Sequence, residues 1–102
     1  MMSLGEFIED LEEKGYSVKY NTKVKGVSGL FHRVDGIAES PKGEKKTIVW
    51  LEKRGNAITE IIQTFAVAYD ADAEPCYVIE GALGEEERKL AEYYKMKLLT
   101  RE

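Results

Sequence analysis

One change of hydrophobic period, between Thr47 and Ala71, constrains this chain more than any other feature. Residues 47–52 read Thr-Ile-Val-Trp-Leu-Glu, a short β-rich run that holds the only tryptophan. From Ala57 to Ala71, Ile58, Ile61, Ile62, Phe65 and Ala68 or Tyr69 recur at three- and four-residue spacing. That spacing marks one face of an amphipathic helix, and Asn56 after Gly55 is its expected N-cap. A strand that passes within a few residues into a one-faced helix needs a sheet for that helix to cover. The chain is therefore expected to be α/β.

The flanking segments extend this pattern in both directions. Residues 3–14 place Leu4, Phe7, Ile8 and Leu11 on one helical face, with Ser3 and Glu6 at capping-box spacing and Gly15 as a stop. Tyr16, Val18 and Tyr20 alternate with polar residues as a strand does. Gly26-Val-Ser-Gly29 predicts a turn, Leu30 to Ala38 a second strand, and Ser40-Pro-Lys-Gly43 another turn. Beyond the central helix, Cys76 to Ile79 predicts a short buried strand after Pro75. Gly84 to Tyr94 predicts an acidic helix with Leu90, Ala91 and Tyr94 inward, and Lys97 to Thr100 a last strand. Short turns join the first three strands, which predicts an antiparallel meander. Helices join the later ones, which predicts parallel additions by right-handed crossovers and helices on both faces. No repeat or linker interrupts residues 1–102, so one domain is expected, and 102 residues suffice for one core.

Composition narrows the class. The chain is 43% hydrophobic and 33% charged, which suits a globular domain. No apolar run approaches the roughly 18 residues of a membrane span, and no signal peptide is evident, so no membrane and a cytoplasmic location are expected. The single cysteine, Cys76, excludes an internal disulfide and a cysteine-based zinc site. It is expected to be a buried, inert thiol. The net charge of −4 argues against a polyanion partner, but the distribution is more informative than the sum. Residues 19–54 hold nine Lys or Arg (Lys19, Lys23, Lys25, Arg33, Lys42, Lys45, Lys46, Lys53, Arg54) against four acids, a local +5, and the rest carries −9. A basic middle can meet a nucleic acid, or it can simply solvate exposed strands and turns.

Several stretches carry a resemblance: Gly15-Tyr-Ser-Val18, then Gly26-Val-Ser-Gly-Leu-Phe-His-Arg-Val-Asp35, then Thr47-Ile-Val-Trp-Leu-Glu-Lys-Arg54, a helix containing Phe65, Val78-Ile79, and finally Leu90-Ala-Glu-Tyr-Tyr-Lys-Met-Lys-Leu-Leu99. With the predicted order αβββαβαβ, they resemble the PD-(D/E)XK nucleases, specifically the Mrr-type and archaeal Holliday-junction-resolvase-like branches. The resemblance spans nearly the whole chain. It implies a restriction-endonuclease-like three-layer sandwich, a mixed sheet with helices on both faces. It also implies a DNA partner, a homodimer, and hydrolysis of phosphodiester bonds with Mg or Mn. Asp35 and Glu52 would be metal ligands. Asp35, Glu52, Lys53 and Arg54 would be the catalytic set, and His32, Arg33, Lys25, Lys45 and Lys46 would contact DNA.

The chemistry can be argued separately from the resemblance. Acids on neighbouring strands can hold a divalent cation between them. A cation two residues beyond the second acid shares its strand face and can meet the scissile phosphate. In this chain that spacing has two registers. With Glu52 as the second acid, Arg54 takes the lysine position, permanently charged and a poorer proton manager. With Lys53 as the lysine, the acid position falls on Leu51, which binds no metal. His32 reads either as a phosphate contact or support for Asp35, or as a structural histidine. Asp35 should share the face of Arg33 unless a bulge intervenes. Glu6, Glu9 and Gln63 are expected on solvated helix faces, and Glu85-Glu86-Glu87 at a helix start needs only the dipole. The rival to a nuclease is a scaffold or protein-interaction module that keeps the fold without the site.

Overall fold

A computed structural model describes residues 1–101; the expected domain end, Glu102, lies outside them. Among the described residues the order is α1 (Leu4–Glu13), β1 (Ser17–Lys25), β2 (Phe31–Glu39), a 3-10 turn at Pro41–Gly43, β3 (Thr47–Glu52), α2 (Ala57–Asp70), β4 (Ala73–Ile79), α3 (Glu85–Tyr93) and β5 (Lys97–Thr100). These five strands form one sheet in sequence order. β1, β2 and β3 pair antiparallel, and β4 and β5 add in parallel. The expected mixed α/β architecture is therefore present.

Each helix takes the face that its apolar stripe dictates. α1 starts on a reciprocal cap, in which the Glu6 amide donates to Ser3 Oγ and the Ser3 amide to Glu6 Oε1, both at 3.1 Å. Its Phe7 and Leu11 pack on Ala38, Ile48, Trp50, Cys76, Val78 and Leu99. On the opposite face, Ala57 and Ile61 of α2 and Ala91 of α3 cover Tyr77 and Ile79. Further along α2, Val67 and Ala68 cover Val34, Ile37 and Val49. One helix on one face and two on the other follow from the two successive crossovers.

Two elements run longer than their periodicity suggests. β1 continues to Lys25 because Thr22 to Lys25 pair with Val34 to Phe31. β4 begins at Ala73, ahead of Pro75. Pro75 lies opposite Val49 of β3, and β5 joins only from Cys76 onward. The imino nitrogen therefore falls where one side of β4 is still open. Cys76 is buried, and burial pushes its thiol up to about 12, despite Lys97 nearby. The buried position is the expected one.

Within β2 the pleat alternation breaks. Gly36 and Ala38 face α1, since a Cβ on Gly36 would lie 1.9 Å from the Trp50 ring and Ala38 packs with Phe7 and Leu11. Val34 should share that face by the two-residue repeat. It packs instead with Ile37 against α2. Across from this slip stands Asn21, with a left-handed φ of 47°. The β1–β2 register runs unbroken on either side of this position. The slip lies next to Asp35, where a local break in the ladder can re-aim a side chain.

Candidate functional site

Asp35, the end of β3 and the loop 53–56 meet at one end of the sheet. The Asp35 carboxylate is only 7% exposed and is fully engaged. Arg54 grips it with a two-pronged contact, Nη2 to Oδ1 at 2.6 Å and Nη1 to Oδ2 at 2.9 Å. The Glu52 amide donates to Oδ2 at 2.7 Å. Burial by itself would raise this carboxyl, but the Arg54 bonds, the Glu52 amide and the Arg54 charge outweigh it. Asp35 is held below the usual carboxylate range. Arg54, through the same bonds, is held above its ordinary value.

A second carboxylate organises the loop. Glu60, in the first turn of α2, accepts from the amides of Arg54 and Gly55 and from the Tyr77 hydroxyl at 2.6 Å. Burial, and then the Glu60 bond, push the Tyr77 phenol up. The Arg54 backbone is thus fixed by Glu60 while its guanidinium is fixed by Asp35. An open cavity of about 420 Å³ lies here, lined by Arg33, Asp35, Leu51, Glu52, Arg54, Glu60 and Gln63.

The other expected site residues scatter. The Leu51 side chain packs on the α2 side, whereas Glu52 falls two residues beyond Trp50 and beside Val78, both in the α1-side core. The Glu52 carboxylate comes within 3.6 Å of Arg101 and gives Asp35 only its amide. Lys53 Nζ donates to the Gly55 carbonyl at 3.1 Å. Lys46 pairs with Asp72 at 3.4 Å, and the Lys45 amide donates to Ser40 Oγ. Both lysines precede β3, about 20 Å of strand from Asp35. Lys25 Nζ stands 5.9 Å from the Phe31 ring centre. Gln63, expected on an outer face, lines the cavity.

His32 does not reach Asp35. Its Nε2 lies 2.6 Å from Asp70 Oδ2, at the last turn of α2. The Ser28 hydroxyl and amide donate to the same carboxylate at 2.6 and 2.9 Å, and the Val27 amide donates to the Asp70 carbonyl at 2.7 Å. A Cβ on Gly26 would lie 1.8 Å from Asp70 Oδ2. The Gly-x-Ser-Gly-x-x-His text thus builds a clamp that seats the β1–β2 turn on α2. The His32 bond, followed by the Ser28 bonds, brings the Asp70 carboxyl down to about 2.

Three partners escaped the sequence reading. Glu60 had a signal, an acid in the first turn of a helix behind a loop that needed amide acceptors. Asp70 had none, because 42 residues separate it from Ser28. Arg101, whose Nη2 donates to the Lys53 carbonyl at 3.0 Å, is also placed only by the fold.

The donor set does not fit a divalent cation. Both Asp35 oxygens accept from Arg54, and the neighbouring strand offers an amide and a leucine where a second carboxylate is needed. Among the described residues, no three His, Cys, Asp or Glu side chains are placed to share a metal ion. No described helix is long and apolar enough to cross a membrane.

No protein-family profile matches the chain. Over 50 residues it is 34% identical to an uncharacterised protein of Archaeoglobus fulgidus, which covers 49% of this chain and 39% of that protein. Its structure resembles a crystal structure of a protein of unknown function, with a TM-score of 0.67 and 22% identity over 92% of this chain. The chain spans 54% of that second protein, so in both comparisons it matches a part of something longer. What the structural likeness establishes is a shared mixed α/β fold.

Proposed function

We propose that this chain is a DNA-binding domain of the restriction-endonuclease-like type, with a nuclease site in which an arginine neutralises the first acid, Asp35. The observation that carries the reading is the cavity between the middle of β2 and the end of β3. Asp35 sits there clamped by Arg54, with Arg33 in the same wall and the acid-free stretch from Lys14 to Val34 leading up to it. In a site that cuts phosphodiesters, the acid holds a cation that meets the phosphate. Here a guanidinium holds that position on the acid, and a guanidinium binds phosphate oxygens well without activating water. The reading therefore favours binding over cleavage. A homodimer and a cytoplasmic setting belong to the same reading, since small domains of this type act on two strands as symmetric pairs.

Duplex, single-stranded and branched DNA, each offered with Mg and with Mn, separate the outcomes. The expected result is salt-sensitive binding without cleavage, weakened in Arg33→Ser. Cleavage abolished by Asp35→Ala would restore the metal-dependent nuclease. The absence of both binding and cleavage would leave an interaction module. One observation favours that second reading: Asp35 and Glu60 are both spent on internal partners.

A further inference from the structure

The hairpin formed by β1 and β2 runs beyond the end of β3, and its composition is one-sided. No acid occurs from Lys14 to Val34, while Lys19, Lys23, Lys25 and Arg33 all lie on its strands. Lys23 stands directly across from Arg33, and Lys25 across from Phe31. None of Lys23, Lys25 and Arg33 forms an ion pair among the described residues. The two carboxylates nearest its protruding half are already engaged, Asp35 in the middle of β2 by Arg54 and Asp70 under the tip by Ser28 and His32.

The tip is apolar and faces outward. Val27 is 85% exposed, Leu30 64% and Phe31 65%. A free loop would fold such side chains down or leave them mobile. This one is tied: the Gly26 amide closes on the Leu30 carbonyl at 2.8 Å, and Asp70 takes the inward-facing Ser28 amide, the Ser28 hydroxyl and His32. The clamp spends the polar groups on the protein side and leaves the apolar ones outside. Cations set behind a held apolar tip match how a β-ribbon meets a duplex, phosphates on the basic residues and an apolar wedge at the base edges. The patch also joins the candidate site directly, because Arg33 belongs to both.

We infer that the β1–β2 hairpin is the DNA-contacting element, with Lys23, Lys25 and Arg33 on phosphates of a duplex and Leu30 and Phe31 wedged against its bases. This rests on the DNA-binding reading above and adds where and how the duplex is held. An anionic bilayer is the competing polyanion, and it is disfavoured: three short apolar side chains offer it little area, whereas a base step needs one or two. It also removes Lys45 and Lys46, which lie at the far end of β3, from the contact set.

The test is fluorescence anisotropy of the full chain on a short labelled duplex across a salt series. It compares Lys23→Ser/Lys25→Ser, Leu30→Ser/Phe31→Ser and a remote charge control, Lys89→Ser on α3. The lysine pair should weaken binding about tenfold and flatten the salt slope by about 2, one phosphate contact per lysine. The apolar pair should weaken binding about fivefold with the slope unchanged, because no counterion is involved. Lys89→Ser should behave as the unaltered chain. Circular dichroism confirms the fold of each variant, and all four altered hairpin side chains are exposed. Tight DNA binding that ignores both hairpin variants would overturn this inference and leave the DNA-binding reading standing. Failure of the unaltered chain to bind any duplex would sink both. Hairpin-dependent binding to phosphatidylserine vesicles without DNA binding would reassign the element to a lipid surface.

Discussion

An Asp35→Asn substitution keeps the shape of the side chain and removes the charge that Arg54 answers. The amide can still accept from Glu52, but one of its two ends no longer accepts from the guanidinium. Because Arg54 is 64% exposed, water screens the pair, and the expected loss is about 1–2 kcal/mol in a urea titration. A loss near zero would show that the pair orders the loop without stabilising the fold. Asp70 provides a test in pH. Its carboxyl falls to about 2 in the folded protein, against about 3.9 for a free aspartate. A lowered acid stabilises above its unfolded value, and that contribution fades as pH falls through the folded one. The stability gap between the unaltered chain and Asp70→Asn should therefore close as pH falls from about 4 to about 2. A gap that widened on acidification would contradict the clamp.

At the scale of elements, the hairpin and α2 hold one another through a contact that glycine permits. Gly26→Ala would place a methyl 1.8 Å from Asp70 Oδ2, so either the turn or the Asp70 carboxylate must shift and the clamp loosens. The expected cost is about 1–3 kcal/mol, typical of overpacking a tight site. The amides of Val27 and Ser28 should then exchange hydrogen far faster, while those of β3 and β4 stay protected. Uniform loosening across the sheet would instead mean that the hairpin folds as one unit with the core. The same clamp explains a text that reads as catalytic in isolation. Glycine, serine and histidine at these spacings serve a carboxylate on another element, and their order in the chain says nothing of which one. The break in β2 pleating has the same character, since Val34 turns to α2 because Val67 and Ala68 are there to be covered.

For the molecule as a whole, α1 is the sole helix on its side of the sheet among the described residues, and Trp50 lies wholly buried beneath it. Leu11→Ala should cost about 2–4 kcal/mol and red-shift tryptophan emission as water reaches the indole. An unshifted spectrum would place the loss elsewhere in the core. This architecture was legible early: the switch from β-rich run to three-and-four spacing after Glu52, the caps at Ser3 and Asn56, and the short early turns are local signals, and each appears where expected. The strand directions followed, because chain connectivity leaves few ways to pair such elements. Asp35, Glu52 and Arg54 could also be named from spacing alone. Their relation could not. Whether Glu52 offers a carboxylate or an amide to Asp35 depends on strand twist and a pleat slip, and whether Asp35 meets a cation or Arg54 depends on how Glu60 bends the following loop. Residue type and periodicity are written locally, so the sequence determined the elements and the candidate acid. Partners 17 to 42 residues apart are brought together only when the sheet closes, and so the tertiary structure alone decided what that acid does.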